Sequence, residues 1–322
     1  MDYIKILING SFTRLLVAIC FLGIFDVNSQ TKLRIALDYD GDGKVDPVVF
    51  RPKTNQWHIN RTNWGITSQV IGVAELDSPT PGDFDGDGKG DIAVWRESNG
   101  TFYYFQSSNN TFVSKQFGQA GDEPVARDYD GDGKTDCAVV RRIGENLAWY
   151  ILQSNNNQIL GFYYGHSTDY PAPGDFDGDG IFDRAVQRKS GTNLIFYILQ
   201  SSLGAMAVQF GNISDSFVPG DYDGDGKTDI AVFRWEFTSG ENSEWHVLKS
   251  SDGSVASYFW GGRSQWGDIP VQGDYDGDGK TDLAVWRSVD FKFYISKSTN
   301  GQSLAYSWGQ TGDLPVASYD TH

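Results

Sequence analysis

Asp221-Tyr222-Asp223-Gly224-Asp225-Gly226-Lys227-Thr228-Asp229 decides how this chain is read, because the chain writes it six times. The pattern Asp-aromatic-Asp-Gly-Asp-Gly-x-x-Asp also starts at Asp38, Asp83, Asp128, Asp175 and Asp274. Four carboxylates in nine residues repel one another in a compact loop unless a cation sits between them. Positions 1, 3 and 5 turn carboxylates inward, glycine at position 6 permits the bend, position 7 offers a backbone carbonyl, and aspartate at position 9 closes the site. An all-oxygen donor set of this size suits Ca²⁺ rather than zinc. About six calcium ions are therefore expected, one per loop.

The ligand set is predicted residue by residue. In the first half it is Asp38, Asp40, Asp42, Lys44 and Asp46; Asp83, Asp85, Asp87, Lys89 and Asp91; Asp128, Asp130, Asp132, Lys134 and Asp136. In the second half it is Asp175, Asp177, Asp179, Ile181 and Asp183; Asp221, Asp223, Asp225, Lys227 and Asp229; Asp274, Asp276, Asp278, Lys280 and Asp282. The lysines and Ile181 act through their carbonyls. An EF-hand needs a bidentate glutamate at position 12, where these loops carry Val49, Val94, Val139, Val186, Val232 and Val285. The run after each loop is strand-like, as in Ile92-Ala93-Val94-Trp95-Arg96, and too short for a helix. Each loop joins two strands.

The loops start 45, 45, 47, 46 and 53 residues apart, a period in the range of propeller blades. After each loop comes a strand B with a central valine and an arginine at its end, then an aromatic strand C. The strand C centres are read as Trp57-His58-Ile59, Tyr103-Tyr104-Phe105, Trp149-Tyr150-Ile151, Phe196-Tyr197-Ile198, Trp245-His246-Val247 and Phe293-Tyr294-Ile295. Strand D ends in an aromatic or isoleucine followed by glycine, and a link leads into strand A of the next unit. Four short strands per unit, apolar on both faces, describe sheets packed between neighbours in a ring. The expected fold is all-β, a β-propeller of six four-stranded blades plus a C-terminal closing strand. A seven-bladed ring with one incomplete blade is the alternative.

The loop, the Ala-Val-x-Arg strand behind it and the Phe-Gly or Trp-Gly before the next loop resemble FG-GAP/VCBS repeats, the blades of integrin-α-like propellers and of many secreted bacterial proteins. The resemblance covers residues 31 to 320. It implies calcium in loops that bridge strands A and B on one face of the ring. It also implies a role among adhesion, lectin-like recognition and accessory parts of enzymes.

Two further columns bear on closure. Arg51, Arg96, Arg141, Arg188, Arg234 and Arg287 recur in strand B, and Asp77, Asp122, Asp169, Asp215, Asp268 and Asp313 recur just before strand A. The first unit has Lys32 where that aspartate belongs, so Asp313 is expected to come round from the chain end and pair with Arg51. Leu33 to Asp38 competes with the tail for the same strand A.

The N-terminus has Lys5 and Arg14 ahead of an apolar run from Leu15 to Phe25, which reads as a secretory signal peptide over residues 1–29, cut near Ser29. Residues 30–322 then form one propeller domain, with repeats at about 31–73, 74–118, 119–165, 166–211, 212–261 and 262–309 and a partial repeat at 310–322. The chain would be secreted or carried at the cell surface. Cys137 is the one thiol left after cleavage and occupies an apolar strand position. The formal charge of −16 argues against nucleic acid and anionic membranes as partners. Of the 42 acidic residues 24 sit in the loops, and six Ca²⁺ would bring the charge to about −4.

His58 and His246 stand in a column otherwise filled by tyrosine and read as packed strand residues. No nucleophile elbow, zinc-protease helix or phosphate loop is present in the sequence. The fifth repeat is the longest, and Arg263, Gln265 and Trp266 in its extension combine an aromatic face with hydrogen-bonding groups suited to a sugar or peptide. The expected function is non-catalytic recognition or adhesion toward an extracellular glycan or protein. The alternatives are an accessory or catalytic propeller of a polysaccharide-degrading enzyme, or a structural fragment of a larger surface protein.

Overall fold

The computed structural model describes residues 36–74, 76–235, 242–262 and 267–317. The segment read as a signal peptide, and Arg263, Gln265 and Trp266, lie outside the described residues. Among the described residues every regular element is a β-strand, and the strands form six four-stranded antiparallel sheets. They are the blades of a six-bladed propeller. Blade two shows the plan: strand A Asp77–Pro79, B Ile92–Arg96, C Thr101–Phe105 and D Phe112–Gln116, each paired with the next. Among the described residues no helix is long and apolar enough to cross a membrane.

Strand B is apolar on both faces because it lies between blades. The valine at loop position 12 is the wedge. Val94 packs into the core of blade one beside Trp57 and Ile59, and Val139 into blade two beside Trp95 and Phe102. Val186, Val232 and Val285 do the same for blades three, four and five, and Val49 brings the series round to blade six. All six are at most 1 % exposed. Each such burial stabilises by roughly 1.5–3 kcal/mol. The residue type that excluded an EF-hand is the one that holds neighbouring blades together.

The register corrects one reading. Phe102 pairs with Trp95 as Trp57 pairs with Phe50, and Tyr103 pairs with Val94 as His58 pairs with Val49. The centre of strand C in blade two is thus Phe102-Tyr103-Tyr104, one residue earlier than the sequence suggested. Four consecutive aromatics offer two registers. The one adopted buries Phe102 completely and lays Tyr103 beneath the Arg96 guanidinium at 4.6 Å. Tyr150, Tyr197 and Tyr294 lie beneath Arg141, Arg188 and Arg287 in the same way, at 4.3–4.7 Å. His58 and His246 take the tyrosine position in blades one and five, and each ring Nδ1 meets a serine hydroxyl on strand D at 2.8 Å.

The chain end closes the ring. Leu314–Pro315 pairs with Val49 and Phe50, and the Val316 amide donates to the Val48 carbonyl. Asp313 accepts from Arg51 Nε at 2.7 Å and from Nη2 at 3.0 Å, the bidentate pair that the other five blades make internally. In all six pairs the aspartate side chain is fully buried. The competition for strand A of blade one is resolved by sharing. The tail forms its outer part, while Leu37 takes the inner end, its carbonyl accepting from Asp46 N as Gly82 does for Asp91. Residues 33–35 lie outside the described residues, and Ala36 and Leu37 form a turn. The tail that suggested a seventh blade completes the first.

Loop position 8 carries a local exception with a testable consequence. Thr135 and Thr228 stand there and accept, through their hydroxyls, from the amides of Asp83 and Asp175 in the preceding loops. The equivalent residue of loop two is Gly90, and a Cβ on it would lie 2.5 Å from the Ala36 carbonyl oxygen and 3.4 Å from the Tyr39 ring. Substituting Gly90→Thr restores the repeat's commonest residue and is nonetheless expected to destabilise by about 1–3 kcal/mol, through overpacking against backbone. Urea denaturation measures this, and equal or higher stability would show that blade one yields at that contact.

Candidate metal centre

Each acidic loop is a strand A to strand B hairpin closed at its base. Gly82, Arg127, Gly174, Gly220 and Gly273 bridge to the position-9 aspartate of their own loops. Within the loop, position 1 organises the bend: Asp38 Oδ1 accepts from Gly41 N at 2.6 Å and Oδ2 from Gly43 N at 2.8 Å. The same two bonds recur in the other five loops. Both glycines have positive φ, 80° and 81° in the first loop, which L side chains adopt at a cost. The backbone amide of position 7, as in Lys44, donates to the position-5 carboxylate, and its side chain leaves the loop.

The bend brings the carboxylates together. In loops one and five the oxygens of positions 1, 3 and 5 lie within 4.8 Å of one another, as Asp38, Asp40 and Asp42 and as Asp221, Asp223 and Asp225. In loops two, three and four the trio is positions 1, 3 and 9: Asp83, Asp85 and Asp91; Asp128, Asp130 and Asp136; Asp175, Asp177 and Asp183. Three of the position-3 carboxylates, Asp40, Asp177 and Asp276, carry an Oδ1 shut off from solvent with no hydrogen-bond partner. A buried anionic oxygen without a donor is costly. Crowded and oxygen-only, with a position-3 oxygen left unpartnered in three of the loops, the sites fit a hard divalent cation.

Position 9 is the most buried of the four, 0–1 % exposed in all six loops. Burial, with neighbouring carboxylates adding to it, pushes Asp46, Asp91 and Asp136 up to about 7 and Asp183 and Asp282 up to about 6. Asp221, at position 1, rises to about 6 for the same reasons. Without a cation the native state holds protons that the unfolded chain has already released. That contribution to stability is complete below about pH 4 and is lost as pH rises through about 6 to 7. In chelator, the melting temperature is expected to fall from pH 5 to pH 7.5, while saturating divalent metal removes the fall by favouring the ionised form. A metal-free melting temperature that climbed over that interval would contradict these shifts.

A partner set went unread in the sequence. The turn between strands C and D begins with Thr62-Asn63, Ser107-Ser108, Ser154-Asn155, Ser201-Ser202, Ser250-Ser251 or Ser298-Thr299. The amide of the first residue donates to the position-9 carboxylate in every blade, at 2.6–3.0 Å. The second residue reaches the position-3 carboxylate, as Ser108 Oγ does Asp85 and Thr299 Oγ1 does Asp276, both at 2.6 Å. Each loop is therefore roofed by the turn of its own blade. The recurring serine or threonine followed by Ser, Thr or Asn is the available signal, but its distance from the loop varies with the length of strands B and C.

The loops are also joined to one another. The position-8 amide of each loop donates to the position-1 carbonyl of the loop before it: Gly90 to Asp38, Thr135 to Asp83, Phe182 to Asp128, Thr228 to Asp175, Thr281 to Asp221 and Val45 to Asp274, at 2.6–2.8 Å. The position-7 side chain lies over the position-4 glycine of the preceding loop, so a Cβ on Gly86 would meet Lys134 at 2.9 Å and one on Gly131 would meet Ile181 at 2.9 Å. The six sites form one hydrogen-bonded circle.

With this geometry the chain can be placed. FG-GAP-like repeats match residues 38–94, 128–186 and 221–285, more than half of the sequence. The protein belongs to the FG-GAP-like repeat family. No curated protein matches it. Among solved structures it is similar to an Agrocybe aegerita lectin, studied for its specific recognition of non-reducing terminal N-acetylglucosamine. Identity is 15 %, the match covers 81 % of this chain and 89 % of the lectin, and the TM-score is 0.52. A protein of unknown function from Desulfotomaculum acetoxidans matches at 12 % identity over 84 % of this chain and 99 % of its own, with a TM-score of 0.43. The likeness to the lectin concerns the fold alone.

Proposed function

We propose that the protein is an exported, calcium-stabilised propeller that recognises a glycan or protein ligand without catalysis. The observation that carries the calcium part is the set of buried Oδ1 atoms on Asp40, Asp177 and Asp276, which no protein donor reaches and a hard cation would satisfy. In the metal-loaded form positions 1, 3, 5 and 9 would supply carboxylate oxygens and position 7 its carbonyl. Calcium does the cross-linking that disulfides do in many exported domains, Cys137 being buried and unpaired.

Recognition is supported by where the acidic groups are spent. Six loops and six arginine-paired aspartates account for most of the acid in the chain, and all of it serves the scaffold. The lectin of similar fold binds a sugar, so the architecture can carry such a site, an argument from analogy of fold. Export rests on residues 1–29. The test is a screen of glycans and surface proteins against the calcium-loaded protein, repeated in EGTA. Calcium-dependent binding of one ligand class supports the proposal, and no binding to any candidate in either condition overturns it.

A further inference from the structure

The turns between strands C and D are polar at their third residue in most blades, with Asn109, Asn156, Asp252 and Asn300, and blade one has Trp64. Its indole is 60 % exposed. It stands beside the first acidic loop, because the residue before it, Asn63, donates to both Asp40 and Asp42. Two cations converge on this ring: Lys89 Nζ lies 4.5 Å from its centroid and the Arg61 guanidinium carbon 5.5 Å. Among the described residues neither cation has a carboxylate within ion-pair range. Both are pre-positioned, Arg61 by donation from Nη2 to the Thr67 hydroxyl and Lys89 by packing over Gly41.

An exposed indole flanked by two cations that have no carboxylate partner among the described residues stands out in a chain of charge −16. We propose that Trp64, Arg61 and Lys89 form a subsite for an acidic sugar residue, the sugar packing against the part of the indole that the two cations leave exposed and its carboxylate meeting the cations. A planar guanidinium matches a carboxylate with two parallel hydrogen bonds, and an aromatic wall with a few placed charges is the usual make-up of a small-ligand site. A divalent cation in loop one would offset the Asp38–Asp46 charge that otherwise competes for Lys89 and Arg61, which makes the subsite calcium-dependent. This rests on the glycan half of the function proposed above.

The test is titration calorimetry on the calcium-loaded full chain with tetragalacturonate, and with galactotetraose as the uncharged comparator. Tetragalacturonate is expected to bind, the neutral sugar at least about tenfold more weakly, and Trp64→Ala and Arg61→Gln each to lose about tenfold or more with melting temperature unchanged. Equal binding of the two sugars, or unaltered tetragalacturonate affinity in Trp64→Ala, overturns the subsite. So does absence of tetragalacturonate binding alongside glycan binding elsewhere on the chain, which leaves the broader function standing. If Trp64→Ala lowers only the melting temperature, the indole is a staple between blades and the subsite falls.

Discussion

In EGTA the protein is expected to melt about 10–15 °C below its melting temperature in millimolar calcium, an effect that comes from mass action over six sites. A ligand at ten times its dissociation constant stabilises by about 1.4 kcal/mol per site, so six sites in one cooperative unit contribute about 8 kcal/mol. Extracellular calcium sites commonly have dissociation constants of about 10⁻⁴ to 10⁻³ M, within reach of millimolar calcium. The circle of position-8 to position-1 hydrogen bonds makes each loop a neighbour of two others. Metal loss is therefore expected as one transition, with a position-9 Asp→Asn variant weakening adjacent sites as well as its own. Differential scanning calorimetry across a calcium series checks both, and superimposable scans with and without chelator would refute the stabilising role.

The second large effect is at the seam. Arg51→Met leaves the Asp313 carboxylate buried with one backbone donor, Gln310 N, and is expected to cost about 3–5 kcal/mol, the range for breaking a buried ion pair from one side. Arg234→Met breaks the same pair inside blade five and is the control for local chemistry. Removing residues 313–322 takes away the pair, the two-residue strand on Val49 and Phe50, and Val316 from the core of blade one. Blade one then has three strands and the ring is open. The truncated chain is expected to lose its cooperative urea transition, and a transition matching that of the full chain would show that the tail is not the closing element.

How much of this could be read from residues depended on whether a feature repeats at fixed spacing. The loops, the arginine and aspartate columns, the six blades and the Arg51–Asp313 pair were all legible, because each is a column in which one type recurs and one place is visibly filled from elsewhere. The register of Phe102–Phe105 was not, since four aromatics in a row satisfy the pattern at either of two offsets and only burial of Phe102 and stacking of Tyr103 decide. The polar residue pairs that roof the loops are hidden by variable strand lengths. In the sequence Val94 and its counterparts show only that the loops are not EF-hands, because a wedge between blades is a relation to the neighbouring repeat. The same holds for Lys134 over Gly86: in the sequence each residue belongs to its own loop, and the contact runs between loops.

The most direct test of the account is a count of bound calcium. The purified protein is dialysed against a calcium buffer and its metal content measured per chain by mass spectrometry. About six ions per chain, falling by at least one in an Asp136→Asn variant, is the expected result. A folded protein that retains no calcium under these conditions would contradict the reading of the six loops as cation sites.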